Sequence, residues 1–167
     1  MEKLLEIKNL KVQYNTDEAV VYALNDFSLD LEKGEILGVV GETGAGKTTM
    51  ALSVMKLLPE HVAQVTGGSI AYNGKDVFQM SKKQLRALRG AEVSMIFQDP
   101  MTSLNPVMTV GDQIDEVLKI HNPSMSRQER DEKVAEILTL VGIPPERRVQ
   151  FPHQFSGGMK QRVVIAM

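Results

Sequence analysis

Residues 41–48 have the sequence GETGAGKT, which combines glycines with a lysine and a hydroxyl residue. The spacing satisfies the pattern G-x-x-x-x-G-K-[ST], in which glycines let a loop curl until successive backbone N–H groups point inward. An ammonium group at position 47 suits the β- and γ-phosphates of a nucleotide, and a hydroxyl at position 48 suits Mg²⁺. The segment therefore predicts a phosphate site at Lys47 and Thr48 rather than a plain glycine-rich turn.

A loop of this kind needs a buried strand before it and a helix after it. Residues 36–40 (ILGVV) form a continuous apolar run, which is typical of a strand buried on both faces. We expect a helix to follow the loop and to continue to Leu58, where Pro59 stops it. The N-terminus of that helix would add its positive end to phosphate binding.

Short strands are predicted around this loop, because apolar residues alternate between turn signals. The chain is therefore strand-rich at first, then strand–loop–helix, then strand, and finally helical. The predicted strands are residues 4–7, 20–31, 69–72 (between the turn signals Gly67-Gly68 and Asn73-Gly74) and 93–97.

Three capping boxes predict helix starts in the remainder of the chain. The last of them opens an amphipathic helix with apolar residues on one face between positions 134 and 141, and Gly142 ends it. Gly90 ends the helix that the first box opens. The boxes are Ser81 with Gln84, Thr109 with Asp112, and Ser126 with Glu129.

A second candidate segment is residues 97–106 (FQDPMTSLNP), which place Gln98 at a strand end before a stiff loop with two prolines. An amide can accept from a Mg²⁺-bound water and donate to another group. A glutamine in this place is unremarkable by itself, so its role depends on the other motifs.

A third candidate segment is residues 155–162 (FSGGMKQR). Ser156 is a good helix N-cap, and Gly157 and Gly158 expose backbone N–H groups at the start of a helix, which makes a second anion site. Taken in isolation, the same residues fit a plain loop-to-helix junction better.

Composition bounds the class of protein. The 167 residues are 43% apolar and 24% charged, which is enough for about one globular domain. A net charge of −2 argues against general electrostatic binding to nucleic acid. The lack of cysteine excludes disulfides and thiolate metal sites from these residues.

No apolar run is long enough for a membrane helix, and no signal peptide begins the chain, so we expect a cytoplasmic protein. The apolar residues 163–167 suggest a chain that is cut rather than finished.

Together, the phosphate loop, Gln98 and the segment from Ser156 to Gly158 resemble the nucleotide-binding subunit of ATP-binding-cassette (ABC) transporters. FSGGMKQR is similar to that family's signature sequence. FQDPMTSLNP and PHQFSGGMKQR resemble the importers of dipeptides, oligopeptides and nickel. The resemblance runs along all 167 residues and covers about the first half of such a subunit.

The resemblance implies an α/β fold: a P-loop NTPase core with a mostly parallel sheet, an N-terminal antiparallel β-subdomain and an inserted helical subdomain. The chain would end before the Walker B strand. The implied parts are a nucleotide-binding core over residues 1–99, a helical subdomain over 100–154, and the signature with the start of its helix over 155–167.

The resemblance also assigns ATP and Mg²⁺ to particular residues. Tyr14 occupies the position of the ring that stacks on adenine, a contact worth about 1–3 kcal/mol, and Tyr22 is the competing candidate. Gln98 would sense the metal and its water, and with Thr48 it would hold Mg²⁺. The signature residues would bind the γ-phosphate of ATP held by an opposite subunit. The implied nucleotide-binding residues are Tyr14, Gly41, Glu42, Thr43, Gly44, Ala45, Gly46, Lys47, Thr48, Thr49, Gln98, Ser156, Gly157 and Gly158.

The partners implied by the resemblance are a second ATP-binding subunit in a head-to-tail dimer, transmembrane permease subunits and, indirectly, an external substrate-binding protein, but no nucleic acid. Such a subunit lies in the cytoplasm against the inner face of the membrane. It would energise import of peptides or nickel by hydrolysing ATP.

Three family residues have no counterpart here: the Walker B aspartate, the catalytic glutamate and the switch histidine would all follow position 167. We therefore expect the chain alone to hydrolyse no ATP and to fold poorly, and we expect His61, His121 and His153 to be surface or structural.

Two alternatives to a transport ATPase subunit stay open. One is a truncated nucleotide-binding chain without activity. The other, less favoured because no heptad run or cysteine precedes the signature, is an ABC-type ATPase of DNA repair.

Overall fold

A computed structural model of the chain describes residues 3–97 and 100–167. The chain divides into two compact units, Met1–Val93 and Ser94–Met167. Each unit has an apolar core of its own, so each is held together by its own buried side chains.

The first unit is built on a four-stranded antiparallel sheet with the strand order β2-β1-β3-β4. The strands predicted at 4–7, 20–31 and 69–72 are confirmed, each inside a longer strand. Asn73 and Gly74, with φ of +47° and +71°, make the tight turn between the last two strands. The strands are β1 (Lys3–Asn15), β2 (Val20–Glu32), β3 (Ala63–Tyr72) and β4 (Lys75–Asp76).

Gly67 and Gly68 lie inside β3, so the prediction that they form a turn before a strand was wrong. The pairing of β1 with β3 shifts register between Lys8 and Lys11, and Gly68 has a φ of +85° at this irregularity. A Cβ on Gly68 would lie 2.5 Å from the carbonyl oxygen of Lys8. The glycines therefore mark a bulge, where one strand needs a positive φ and a close backbone approach.

The strand predicted at residues 36–40 is not formed, and this prediction was wrong. Ile36 is 99% exposed and Val40 is 93% exposed. The apolar run needs strands on both sides to satisfy its backbone groups, and within the described chain no strand pairs with it. The strand predicted at 93–97 is likewise reduced to one parallel bridge between Val93 and Arg89.

Helix α1 (Lys47–Val54) begins where the sequence predicts, but it ends four residues before Leu58. Lys56 adopts a left-handed conformation (φ +50°), and its N–H donates to Ser53 O at 3.0 Å while Leu57 N–H donates to Leu52 O at 2.8 Å. This is the Schellman pattern of hydrogen bonds, which closes a helix without a proline. Helix α2 (Lys82–Leu88) follows later, and its predicted capping box at Ser81 is confirmed.

The second unit is helical. Side-chain caps at Thr109, Ser126 and Ser156 open its three helices, as predicted. Gly142, with a φ of +69°, follows the second of them. In the part of the chain that the structure describes, no helix is long and apolar enough to span a membrane. The helices are α3 (Val110–His121), α4 (Arg127–Leu140) and α5 (Gly157–Ala166), with 3₁₀ turns at Pro100–Ser103, Pro145–Val149 and Pro152–Gln154.

Candidate nucleotide-binding site

Residues 41–48, the proposed phosphate loop, turn at two glycines with left-handed backbone angles, Gly44 (φ +85°) and Gly46 (φ +84°). Gly46 caps α1 without a side chain and packs closely against β2. A Cβ there would lie 2.5 Å from the carbonyl oxygen of Ala23 and 2.8 Å from Leu24 Cδ2. Only glycine therefore fits at this point, because both the backbone angle and the space exclude a side chain.

The side chain of Lys47 reaches back across the loop to its first two residues. Its Nζ donates hydrogen bonds of 2.6 Å to the carbonyl oxygens of both Gly41 and Glu42. A Cβ on Gly41 would lie 3.3 Å from Ala45 Cβ and 3.9 Å from that Nζ, so a side chain here would crowd the loop beside the ammonium group. The lysine thus presents a positive charge at an exposed loop, beside the start of a helix.

Consecutive threonines at the start of α1 differ in their exposure. Thr48 is exposed, whereas Thr49 is buried. The hydroxyl of Ser53, itself fully buried, donates to the carbonyl oxygen of Thr49 at 2.7 Å. Thr48 therefore offers its hydroxyl to solvent or a ligand, while Thr49 anchors the helix to the sheet.

Tyr14 contacts the same helix. Its hydroxyl lies 3.2 Å from Thr49 Oγ1, across the sheet–helix interface. Tyr22 pairs with Gln13 and Tyr14 with Val21, so the two tyrosines face opposite sides of the sheet. Tyr22 is 75% exposed. The structure thus brings Tyr14 to the helix that follows the phosphate loop.

Gln98 lies outside the described residues, so its predicted role stays a prediction. The segment after it is held by a residue that the sequence analysis missed. Gln113 on α3 is only 3% exposed, and its Oε1 accepts the N–H of Asn105 at 2.8 Å. Its Nε2 donates to the carbonyl oxygens of Asn105 (3.1 Å) and Met108 (3.2 Å). Its spacing from Val110 and Ile114 on the buried face was the available signal.

The segment proposed as a second anion site has the predicted local structure, a capped helix start. Ser156 Oγ accepts the N–H of Met159 at 3.4 Å and caps α5. Gly157 and Gly158 are exposed, and a Cβ on either would meet nothing within 4 Å. The first turn of the helix therefore faces open space, as an anion site requires.

All three histidines are exposed, as predicted. His153 stacks on Phe151 with ring centroids 5.9 Å apart. This contact lies beside the signature, and it gives His153 a local packing role.

A glycine loop that leads into a helix, closed by a lysine at the helix start, is the arrangement of a P-loop nucleotide-binding protein. The family model described as ABC transporter matches residues 24–167. The chain therefore belongs to the ABC transporter family.

Relatives in Bacillus subtilis (strain 168) match nearly the whole chain. The dipeptide transport ATP-binding protein DppD is 51% identical over 169 residues, covering 100% of this chain and 50% of its own length. The oligopeptide transport ATP-binding protein OppD is 49% identical over 167 residues, covering 99% and 46%. The chain thus spans about half the length of these relatives.

A solved structure confirms the fold class predicted from the sequence. The dimeric post-hydrolysis structure of the ATP-binding cassette MJ0796, bound to ADP and Pi, is 26% identical to this chain with a TM-score of 0.81. The match covers 97% of this chain and 67% of that one. The antiparallel sheet and the helices thus form part of a cassette, although the parallel strands at 36–40 and 93–97 are not formed here.

Proposed function

We propose that this chain is the ATP-binding part of a subunit that energises peptide import through an ABC transporter. The observation that carries the proposal is the Lys47 ammonium group, which spans an exposed glycine loop at the start of α1. The names of DppD and OppD, which are dipeptide and oligopeptide transport proteins, support the substrate class. Nickel remains the second substrate that the sequence resemblance suggests.

The loop fits a nucleotide phosphate. The two bonds of Lys47 go to main-chain carbonyls, which are neutral acceptors that a triphosphate can replace. The exposed hydroxyl of Thr48 suits a hard cation such as Mg²⁺, with Gln98 as the second proposed ligand. Mg²⁺ would supply charge neutralisation between the phosphates. The MJ0796 cassette binds ADP and Pi in its dimeric structure, which supports this assignment.

Tyr14 is the proposed adenine platform. Its contact with Thr49 supports this choice, because a stacking ring must be fixed relative to the helix that binds the phosphates. The other loop residues, from Gly41 to Ala45, would offer their backbone N–H groups to phosphate oxygens.

The signature residues would act on a second subunit. The exposed N-terminus of α5 supports a separate anion site at Ser156, Gly157 and Gly158. The dimeric state of MJ0796 supports a head-to-tail dimer in which each nucleotide meets one loop and one signature. The permease subunits and an external substrate-binding protein are the further partners that we propose, with the subunit at the inner face of the membrane.

Turnover requires more than these residues supply. Phosphoryl transfer needs a group that orients the attacking water, and the family resemblance places that glutamate after α5. We therefore propose that the 167-residue chain, by itself, binds ATP without measurable phosphate release. Turnover that depends on Lys47 in the purified chain would contradict this.

Titration of a fluorescent ATP analogue tests nucleotide binding. Lys47→Ala should weaken binding by about 1.5–3 kcal/mol, because it removes a charged hydrogen-bond donor to the phosphates. Lys75→Ala, which changes an exposed lysine in the β3–β4 hairpin, is the matched control and should bind as the wild type does. Equal affinity of the wild type and Lys47→Ala would refute the site.

A further inference from the structure

Arg147, in the 3₁₀ turn before the signature, contacts the signature segment on both sides of its anion site. Its Nη2 donates to the carbonyl oxygen of Gln154 at 3.0 Å, and its Nη1 lies 3.3 Å from the sulfur of Met159 in the first turn of α5. The guanidinium carbon also lies 4.6 Å from the centre of the Phe155 ring. One side chain therefore connects the residues immediately before and after Ser156, Gly157 and Gly158.

The guanidinium is itself held in place. Its Nε donates to Gln150 Oε1 at 2.7 Å, and the planar fork directs the remaining N–H groups toward the signature segment. Phe155 is buried in the core of the helical unit, so the ring below the guanidinium is fixed as well. Few torsions of Arg147 therefore stay free, and its guanidinium is fixed between the segment before Ser156 and the first turn of α5.

Charge adds to this geometry. The acceptors of Arg147 are an amide, a carbonyl and a thioether, all of them neutral, so they do not cancel the charge of the guanidinium. The charge lies beside a helix N-terminus, whose dipole already favours an anion. A positive side chain at this place makes the electrostatic potential at the open helix turn more favourable for an anion.

We propose that Arg147 is a positioning residue for phosphate binding by the signature. It holds the turn from Gln154 to Met159 in the geometry that receives the γ-phosphate of the opposite subunit, and it adds positive potential there without touching the phosphate. This inference rests on the proposed function, in which the signature acts across a dimer.

The experiment uses the full-length product of the gene, a non-hydrolysable ATP analogue and light scattering to measure the dimer dissociation constant. Four variants are compared with the wild type: Arg147→Met, Arg147→Lys, Arg148→Met and Ser156→Arg. Arg148 is the matched control, because it is equally half-buried and donates instead to the carbonyl oxygen of Asp131, at 3.4 Å. Binding of the analogue to the monomer and the melting temperature are measured in parallel.

Arg147→Met should raise the dimer dissociation constant about tenfold, because it removes both the positive charge beside the helix N-terminus and the contacts that hold the turn. Binding of the analogue to the monomer should not change. Raising the salt concentration should weaken the wild-type dimer more than the Arg147→Met dimer, because only the first uses that charge. Arg147→Lys should fall between them, since it keeps the charge but loses the fork. A purely structural role would not change the salt dependence.

The possible results distinguish failure of the Arg147 inference from failure of the proposed signature role. If Ser156→Arg prevents dimerisation but Arg147→Met behaves like Arg148→Met, Arg147 is not a positioning residue and the signature assignment stands. If Ser156→Arg dimerises normally, or the wild type stays monomeric, the proposed signature role fails and this inference fails with it. If Arg147→Met does not fold, Arg147→Lys decides: wild-type dimerisation overturns the inference, and weaker dimerisation at an unchanged melting temperature supports it.

Discussion

The two proposed phosphate sites differ in how they are held. The signature segment is fixed by a helix cap at Ser156, a buried ring at Phe155 and the bonds of Arg147, all from residues close to one another along the chain. The phosphate loop has α1 behind it, but the apolar run at 36–40 before it is exposed and unpaired in the structure. The signature segment is thus held by residues of its own stretch of chain, whereas the loop lacks a paired strand before it.

This difference reflects what each kind of element needs. A capped helix start satisfies its first N–H groups with neighbouring side chains, so it forms from a few consecutive residues. A buried parallel strand satisfies its backbone only through other strands, which are brought together over long loops. A helix-based site is therefore the more robust of the two.

Truncation of Phe155 should have the largest effect, because this buried ring helps to hold the signature segment. Phe155→Ala removes a ring that is 5% exposed and should destabilise the helical unit by about 3–5 kcal/mol. Ile36→Ala, in the exposed run, is the control and should change the free energy of unfolding little. Chemical denaturation measures both. A large loss for Ile36→Ala would show that residues 36–40 are packed in solution.

Replacement of Gln113 should have the next largest effect. Gln113→Leu keeps the volume but leaves the N–H of Asn105 and two carbonyl oxygens without their buried partner, at a cost of about 1–3 kcal/mol. Hydrogen exchange should speed up at Asn105 in particular. Gln128→Leu on the exposed face of α4 is the control. Unchanged exchange at Asn105 would contradict the role of Gln113 in holding this segment.

The capping box of α4 gives the smallest effect, and it is pH-dependent. The backbone N–H of Ser126 donates to Glu129 at 2.7 Å, and this bond holds the pKa of the Glu129 carboxyl below its ordinary value. The ionised form therefore favours folding, so its contribution is present above the ordinary pKa and is lost as the pH falls through the lowered value. The stability difference between the wild type and Glu129→Gln should shrink on acidification. A difference that is constant with pH would disprove this role of the carboxylate.

Local signals in the sequence were sufficient for much of the structure. The caps at Ser81, Ser126 and Ser156 were predicted correctly because each involves only three or four consecutive residues. The turn at the loop glycines was also predicted, because the residue types and spacing of the motif require positive φ angles there.

The errors involve contacts between distant parts of the chain. The strand at 36–40 was predicted from its composition, but pairing decides whether it forms. The early end of α1 depends on the left-handed Lys56 and on Arg89, whose guanidinium donates to the carbonyl oxygens of Met55 and Lys56. Gln113 was missed because a buried amide cannot be distinguished from a surface amide until its partners are known.

The close packing of Gly46 against β2 means that the presence of this glycine does not by itself indicate ligand binding. Because a side chain at this position would meet Ala23 whether or not a nucleotide is present, selection for folding alone would retain the glycine. A mutational scan for stability, carried out without ligand, would therefore already reject every substitution there. Lys47 has no such constraint, since its bonds run only to exposed loop carbonyls. Of the two neighbours, the lysine carries the information about the ligand, and the glycine carries information about the fold.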